Sequence, residues 1–209
     1  MDDTVSQADV ETIISQELPG LPGWCTCVKG ARMAELARGA NLCVELGVFG
    51  GRSLVAIALS LKDSPNDFGR VDGIDPYTPT AALEGANSPE NDLWWGQLDY
   101  EAVARAAQEA LYRLELMPYA RLVRMLSRDV VGFYADGTVD FLHLDANHSE
   151  ATSCEDVALW APKIRPDGGY LVFDDTDWAT TQKAQQDLEM LDFQMIENHV
   201  QWKVYRKQK

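Results

Sequence analysis

The sequence predicts an α/β fold: a doubly wound, mostly parallel sheet of seven strands, with cap helices at the N terminus and an antiparallel hairpin at the C terminus. Three observations predict it. Short apolar runs that end in an acid alternate with stretches whose apolar residues recur at helical spacing. The first such run, Leu42-Cys43-Val44-Glu45-Leu46, passes directly into a glycine turn, Gly47-Val48-Phe49-Gly50-Gly51, and then into a helix. The tail alternates at Val200, Trp202 and Val204, the pattern of a half-buried strand.

The 209 residues are 46% hydrophobic, which suits one domain over 1–209 with a full core. There are no repeats, low-complexity stretches or linkers. A net charge of −15 lacks the positive footprint of a nucleic-acid binder, so nucleic acid is excluded as a partner. No apolar run approaches the roughly 20 residues of a membrane span. The acidic start, Met1-Asp2-Asp3, does not resemble a signal peptide. Cys43 and Cys154 fall in predicted core positions, and Cys25 and Cys27 form C-x-C rather than C-x-x-C. Four reduced thiols in a cytoplasmic protein are therefore expected.

Residues 1–40 carry two helical patterns. The first has Val10, Ile13, Ile14 and Leu18 on one face and stops at Leu18-Pro19-Gly20-Leu21-Pro22-Gly23. The second runs from about Thr26 to Ala37. These helices are expected to cover a pocket, to meet a second copy in a homodimer, or to pad the sheet edge. Trp24 either lines the pocket or anchors the turn.

Strand one and its helix follow, then strand two over Arg70–Ile74. Residues 76–100 read as irregular and hold Trp94-Trp95. A loop of that length suggests a substrate lid, with a core plug as the alternative. A helix carrying Val103, Ala107, Ala110, Leu111 and Leu114 leads to strand three, Ala120–Leu126, and a short helix from Ser127. Strand four is Val139–Leu144, ending at Asp145, with a helix from about Ser149. Strand five is Tyr170–Phe173, ending at Asp174-Asp175. The last helix shows Ala184, Leu188 and Leu191, and the tail strand pairs with Phe193–Ile196.

The turn after strand one reads Glu-x-Gly-x-x-Gly-Gly, not the G-x-G-x-x-G that grips a pyrophosphate. Gly47, Gly50 and Gly51 permit positive φ and close approach to a ligand. Glu45 would repel a phosphate but suits an amino group or a sulfonium. Asp75, ending strand two, suits a ribose diol. At the other strand ends, Asp145, Asp174 and Asp175 are expected to share one edge of the sheet. Like charges about 4 Å apart repel by roughly 4 kcal/mol at an effective dielectric near 20, so the cluster calls for a cation. A divalent ion such as Mg²⁺ is the simplest answer; otherwise only Asp145 lines the pocket. His148 is the candidate base, or closes the turn by a local hydrogen bond. His143 reads as a packed core histidine, and His199 has no assigned role.

The Glu45–Gly51 turn paired with Asp75 resembles the first two motifs of class I S-adenosylmethionine methyltransferases, which have a Rossmann-like sheet. Val139-Asp140-Phe141-Leu142-His143-Leu144-Asp145-Ala146-Asn147-His148, Gly168-Gly169 and Asp174-Asp175 narrow this. They are similar to a small bacterial O-methyltransferase branch, related to cephalosporin- and macrolide-sugar-biosynthesis enzymes and distantly to catechol O-methyltransferases. The resemblance spans about residues 20 to 205.

It implies an S-adenosylmethionine cofactor held by Glu45, Gly47, Gly50, Gly51, Ser53, Asp75, Asp145 and, at the adenine, Ser127. It implies a divalent metal on Asp145, Asp174 and Asp175, with His148 and Asp145 catalytic. The second acid of strand five departs from the catechol enzymes, which usually have an amide there, and their base lysine is not recognisable. The expected activity is O-methylation of a small molecule, with a sugar, phenol or phosphonate-type oxygen as acceptor. A metal-dependent hydroxylase-like relative and a non-catalytic binding subunit are the alternatives.

Overall fold

The computed structural model describes residues 7–64, 66, 68–86 and 88–208. The Met1-Asp2-Asp3 start lies outside the described residues. Helix α1 (Gln7–Glu17) buries Val10 and Ile14, and a 3-10 turn at Leu18–Gly20 ends it where the prolines begin. Helix α2 (Cys27–Ala37) starts at Thr26, whose hydroxyl accepts from the Lys29 amide. Then come β1 (Leu42–Leu46), α3 (Arg52–Lys62) and β2 (Arg70–Ile74).

The segment predicted as irregular holds two short helices, α4 (Pro79–Ala82) and α5 (Pro89–Gly96). Pro79 and Pro89 are helix starts rather than breakers. Thr78 and Ser88 cap the two helices, and a proline takes the first helical position of each, where its missing N–H costs nothing. The next elements are α6 (Tyr100–Arg113), β3 (Ala120–Val123), α7 (Ser127–Val130), β4 (Phe141–Leu144) and α8 (Glu150–Trp160). The chain finishes with β5 (Tyr170–Asp174), α9 (Gln182–Glu189), β6 (Phe193–Asn198) and β7 (Trp202–Lys207).

The seven strands lie in the order β3-β2-β1-β4-β5-β7-β6. The pairs β1–β2, β1–β4, β2–β3 and β4–β5 are parallel, and β7 runs antiparallel to both its neighbours. Period-two alternation divides the strand residues between two cores. Cys43, Phe141, Val172 and Val204 face α1, α2, α3 and α6. Val44, Leu142, Leu171 and Tyr205 face α7, α8 and α9. This is the doubly wound arrangement expected.

Several boundaries differ. β3 stops at Val123 rather than Leu126, because β2, which it pairs with, ends at Ile74. Val139 makes one isolated bridge to Ile164, and β4 starts only at Phe141. Helix α9 ends at Glu189, so Leu191 lies beyond it and is exposed.

The glycine turn serves packing as well as ligand approach. Gly47 has φ +84, and a Cβ there would lie 1.9 Å from the Asp145 carbonyl oxygen. Gly50 has no positive φ, contrary to expectation; instead a Cβ would lie 2.3 Å from the Pro22 carbonyl. The Arg52 guanidinium ties the same segment down, its Nε donating to the Leu21 carbonyl at 2.7 Å.

Candidate active site

The carboxyl ends of β1, β2, β4 and β5 open into a cavity of about 670 Å³. That size takes a drug-sized ligand, and the edge of the sheet is where open α/β sheets place one. Gly47, Ser53, Asp75, Ser127, Asp145, His148, Asp174 and Asp175 all line it. Glu45, Gly50 and Gly51 are absent from the lining.

Asp75 holds the turn after β1. Its Oδ2 accepts from the Val48 and Phe49 amides, both at 3.0 Å, and its Oδ1 from the Tyr77 amide at 2.7 Å. Burial pushes its carboxyl up, and these three amides partly offset that. At the far wall the Ser127 hydroxyl donates to Asp156 Oδ1 at 2.5 Å. The other oxygen of Asp156 is buried without a partner, and burial pushes this acid up to about 7.

Glu45 is fully buried, and its carboxylate is turned toward His143, whose Nδ1 lies 2.8 Å from Glu45 Oε1. The parallel register sets these two residues side by side on β1 and β4. His143 is thus buried, as expected, but it bridges charges rather than packing among apolar groups. Its Nε2 lies 3.7 Å from Asp174 and 3.8 Å from Asp145. Burial and Lys29 oppose its charge, yet the carboxylates outweigh them and raise it to about 9.

The three carboxylates expected to share an ion, Asp145, Asp174 and Asp175, fall into two groups that meet at Asp145. One group of convergent ligand atoms joins His143, Asp145 and Asp174; the other joins Asp145, His148 and Asp175. Between Asp145 and Asp174 lies the ammonium of Lys29, hydrogen-bonded to Asp174 and 3.9 Å from Asp145. The repulsion that called for a cation is therefore met by a side chain. Mg²⁺ is usually held by one or two carboxylates and several waters; here the Lys29 ammonium stands between the two carboxylates that would share it.

Lys29 is the functional-site residue that sequence reasoning missed. It is 4% exposed, on the buried stripe of α2 with Met33 and Ala37. A lysine at the first position of an apolar i, i+4, i+8 stripe was the available signal. Burial would lower its pKa, but the charges of Asp145 and Asp174 hold it above the ordinary lysine value.

His148 Nε2 lies 2.7 Å from Asp175 and 3.6 Å from Asp145. Although burial opposes its charge, these two acids raise it to about 10. Asp145 moves upward because burial and then the Asp174 charge disfavour its ionised form. Asp174 moves the other way: burial is outweighed by His143 and Lys29. Neighbouring carboxyls are thus driven apart in acidity, the pattern that sorts acid and base roles.

Aromatic rings frame the mouth. Trp24 stacks on Phe49 at 5.2 Å between centroids and meets Trp94 edge-on at 5.0 Å. Trp94 and Trp95 are 4.9 Å apart. These tryptophans line the cavity, so they do not plug the core. The Asn147 side chain fastens the start of the insertion, donating to the Ala81, Ala82 and Glu84 carbonyls.

The model of a methyltransferase-domain family matches residues 44–176, from β1 to just past β5. No curated protein matches the chain. Among solved structures, the O-methyltransferase NovP superposes with a TM-score of 0.76 at 12% identity, covering 98% of this chain and 100% of that one. An O-methyltransferase from Bacillus cereus in complex with SAH gives 0.60 at 15% identity, with 100% and 92% covered. A SAM-dependent O-methyltransferase from Thermotoga maritima gives 0.62 at 13% identity, with 98% and 72% covered. The fold they share is the one described above. Among the described residues, no helix is long and apolar enough to cross a membrane.

Proposed function

Because the chain belongs to the methyltransferase-domain family, we propose that it transfers the methyl group of S-adenosylmethionine to a hydroxyl oxygen of a small molecule. One observation carries this reading: a single cavity joins the Gly47 turn and Asp75 to the Asp145–His148–Asp175 cluster. The Gly47 turn, Asp75 and Ser127 form the cofactor end. The cofactor supplies the reactive methyl, and the protein holds an acceptor oxygen in line with it.

A neutral hydroxyl must lose its proton as the O–CH₃ bond forms and the S–CH₃ bond breaks. His148, held protonated by two carboxylates, is a poor starting base near neutral pH. Asp145, its acidity weakened by burial and Asp174, is the better acceptor for that proton. The His148–Asp175 pair then orients Asp145 and stabilises its charge. The tryptophan rings at the mouth suit the face of a sugar or phenol. No metal step enters this scheme, since the Lys29 ammonium already stands between Asp145 and Asp174.

The test is release of S-adenosylhomocysteine from S-adenosylmethionine with panels of sugars and phenols. Asp145→Asn should lower turnover by about 10²–10⁴, the usual worth of a general base, while leaving cofactor affinity within a few-fold. Wild-type turnover by Asp145→Asn would remove the assignment.

A further inference from the structure

The carboxylate cluster carries its own cation. Glu45, Asp145, Asp174 and Asp175 face Lys29, His143 and His148. Four acids against three basic groups leave the site within one charge of balance when both histidines are protonated. Position matters as much as the count. His143 Nε2, Asp145 Oδ2 and Asp174 Oδ2 are 3.7–3.8 Å apart where measured, a spacing that converges on one point. The Lys29 ammonium is bonded to one of these oxygens and within ion-pair distance of another. It arrives from α2, an element outside the sheet, along a stem buried against the first core.

We propose that Lys29 is the resident cation of this site: its ammonium takes the place between Asp145 and Asp174 that a divalent ion would need, and the site binds such an ion only once that ammonium is removed. This rests on the O-methyltransferase reading for its catalytic meaning, but not for the binding claim. Lys29 also lines the cavity. Its ammonium has three N–H donors, and two of them suffice for the carboxylates. The third is free to hold one acceptor oxygen. A single ammonium gives one-point attachment, whereas a metal chelates two vicinal oxygens, so the acceptor does not need a 1,2-diol.

The experiment titrates Mn²⁺ into the full chain and follows free Mn²⁺ by electron paramagnetic resonance. Wild type, Lys29→Met and Lys29→Arg are compared, with S-adenosylhomocysteine calorimetry on the same samples. Wild type and Lys29→Arg should leave Mn²⁺ free at micromolar concentrations. Lys29→Met, which keeps the apolar stem and exposes an uncompensated acid pair, should bind Mn²⁺ at least about tenfold more tightly.

Stoichiometric Mn²⁺ binding by wild type overturns the proposal, whatever the variants do. So does a folded, S-adenosylhomocysteine-binding Lys29→Met that takes up Mn²⁺ no better than wild type. If Lys29→Met fails to fold, the wild-type titration still decides. Loss of cofactor binding by wild type would count against the methyltransferase reading instead, leaving the Mn²⁺ result to stand by itself.

Discussion

Replacing Asp75 tests whether the cofactor end is built as described. Its carboxylate accepts three backbone amides, at 3.0, 3.0 and 2.7 Å, and so fixes Val48, Phe49 and Tyr77 relative to one another. Each hydrogen bond to a charged group is worth about 1.5–3 kcal/mol when its partner stays buried, but water entering the enlarged space recovers part of that. Asp75→Ala should therefore cost about 2–4 kcal/mol of stability, well below the gross sum. The same change disorders the turn that approaches the cofactor and removes the proposed ribose acceptor. Loss of one charge-assisted bond to ribose weakens binding roughly 10- to 150-fold.

Asp75→Asn separates the two effects. Its amide oxygen still accepts from the turn, so more than half the lost stability should return, while affinity recovers less. Urea denaturation and calorimetry with S-adenosylhomocysteine measure the two quantities. An Asp75→Ala protein with wild-type midpoint and wild-type affinity would refute both roles.

Gly47→Ala should destabilise by on the order of 3 kcal/mol, combining a left-handed backbone with a Cβ forced onto Asp145; a urea midpoint within error of wild type would contradict it. Asp156 is raised from 3.8 to about 7 in the folded protein, so its protonated form adds stability that is complete below the unfolded value and lost as pH rises through about 7. Asp156→Asn should thus gain on wild type as pH climbs over that window and hold its lead above it; a gap independent of pH would rule this out. Asn147 pins the insertion as far as Glu84, so limited proteolysis should cut the free protein between Gly85 and Gly96, faster in Trp24→Ala and slower with ligands bound. Equal protection with and without ligand would mean that the Trp94–Trp95 segment is not a lid.

The parallel sheet was legible because β1, β2, β4 and β5 carry an acid at or beside their carboxyl ends and are followed by helical spacing. The same pattern brought Asp75, Asp145, Asp174 and Asp175 to one edge. What stayed hidden depended on register and on distant contacts. Glu45 was read only as a cofactor residue; strand pairing also sets it beside His143, and register is not visible in one strand alone. Lys29 comes from a helix that packs on α3 and reaches the ends of β4 and β5 only through the tertiary fold. In sequence a lysine on a helix reads as solvent-facing. Residues 76–100 read as irregular because prolines and glycines interrupt them, although a capping residue followed by proline, as in Thr78-Pro79 and Ser88-Pro89, is also a helix start.

A crystal structure grown with S-adenosylhomocysteine tests the central claim most directly. The account predicts adenine beside Ser127 and Asp156, ribose hydroxyls on Asp75, and the sulfur facing Asp145 with Lys29 still between Asp145 and Asp174. A ligand bound away from the carboxyl edge of β1, β2 and β4, or one lying in the cavity with its adenine toward Lys29 and His148, would contradict it.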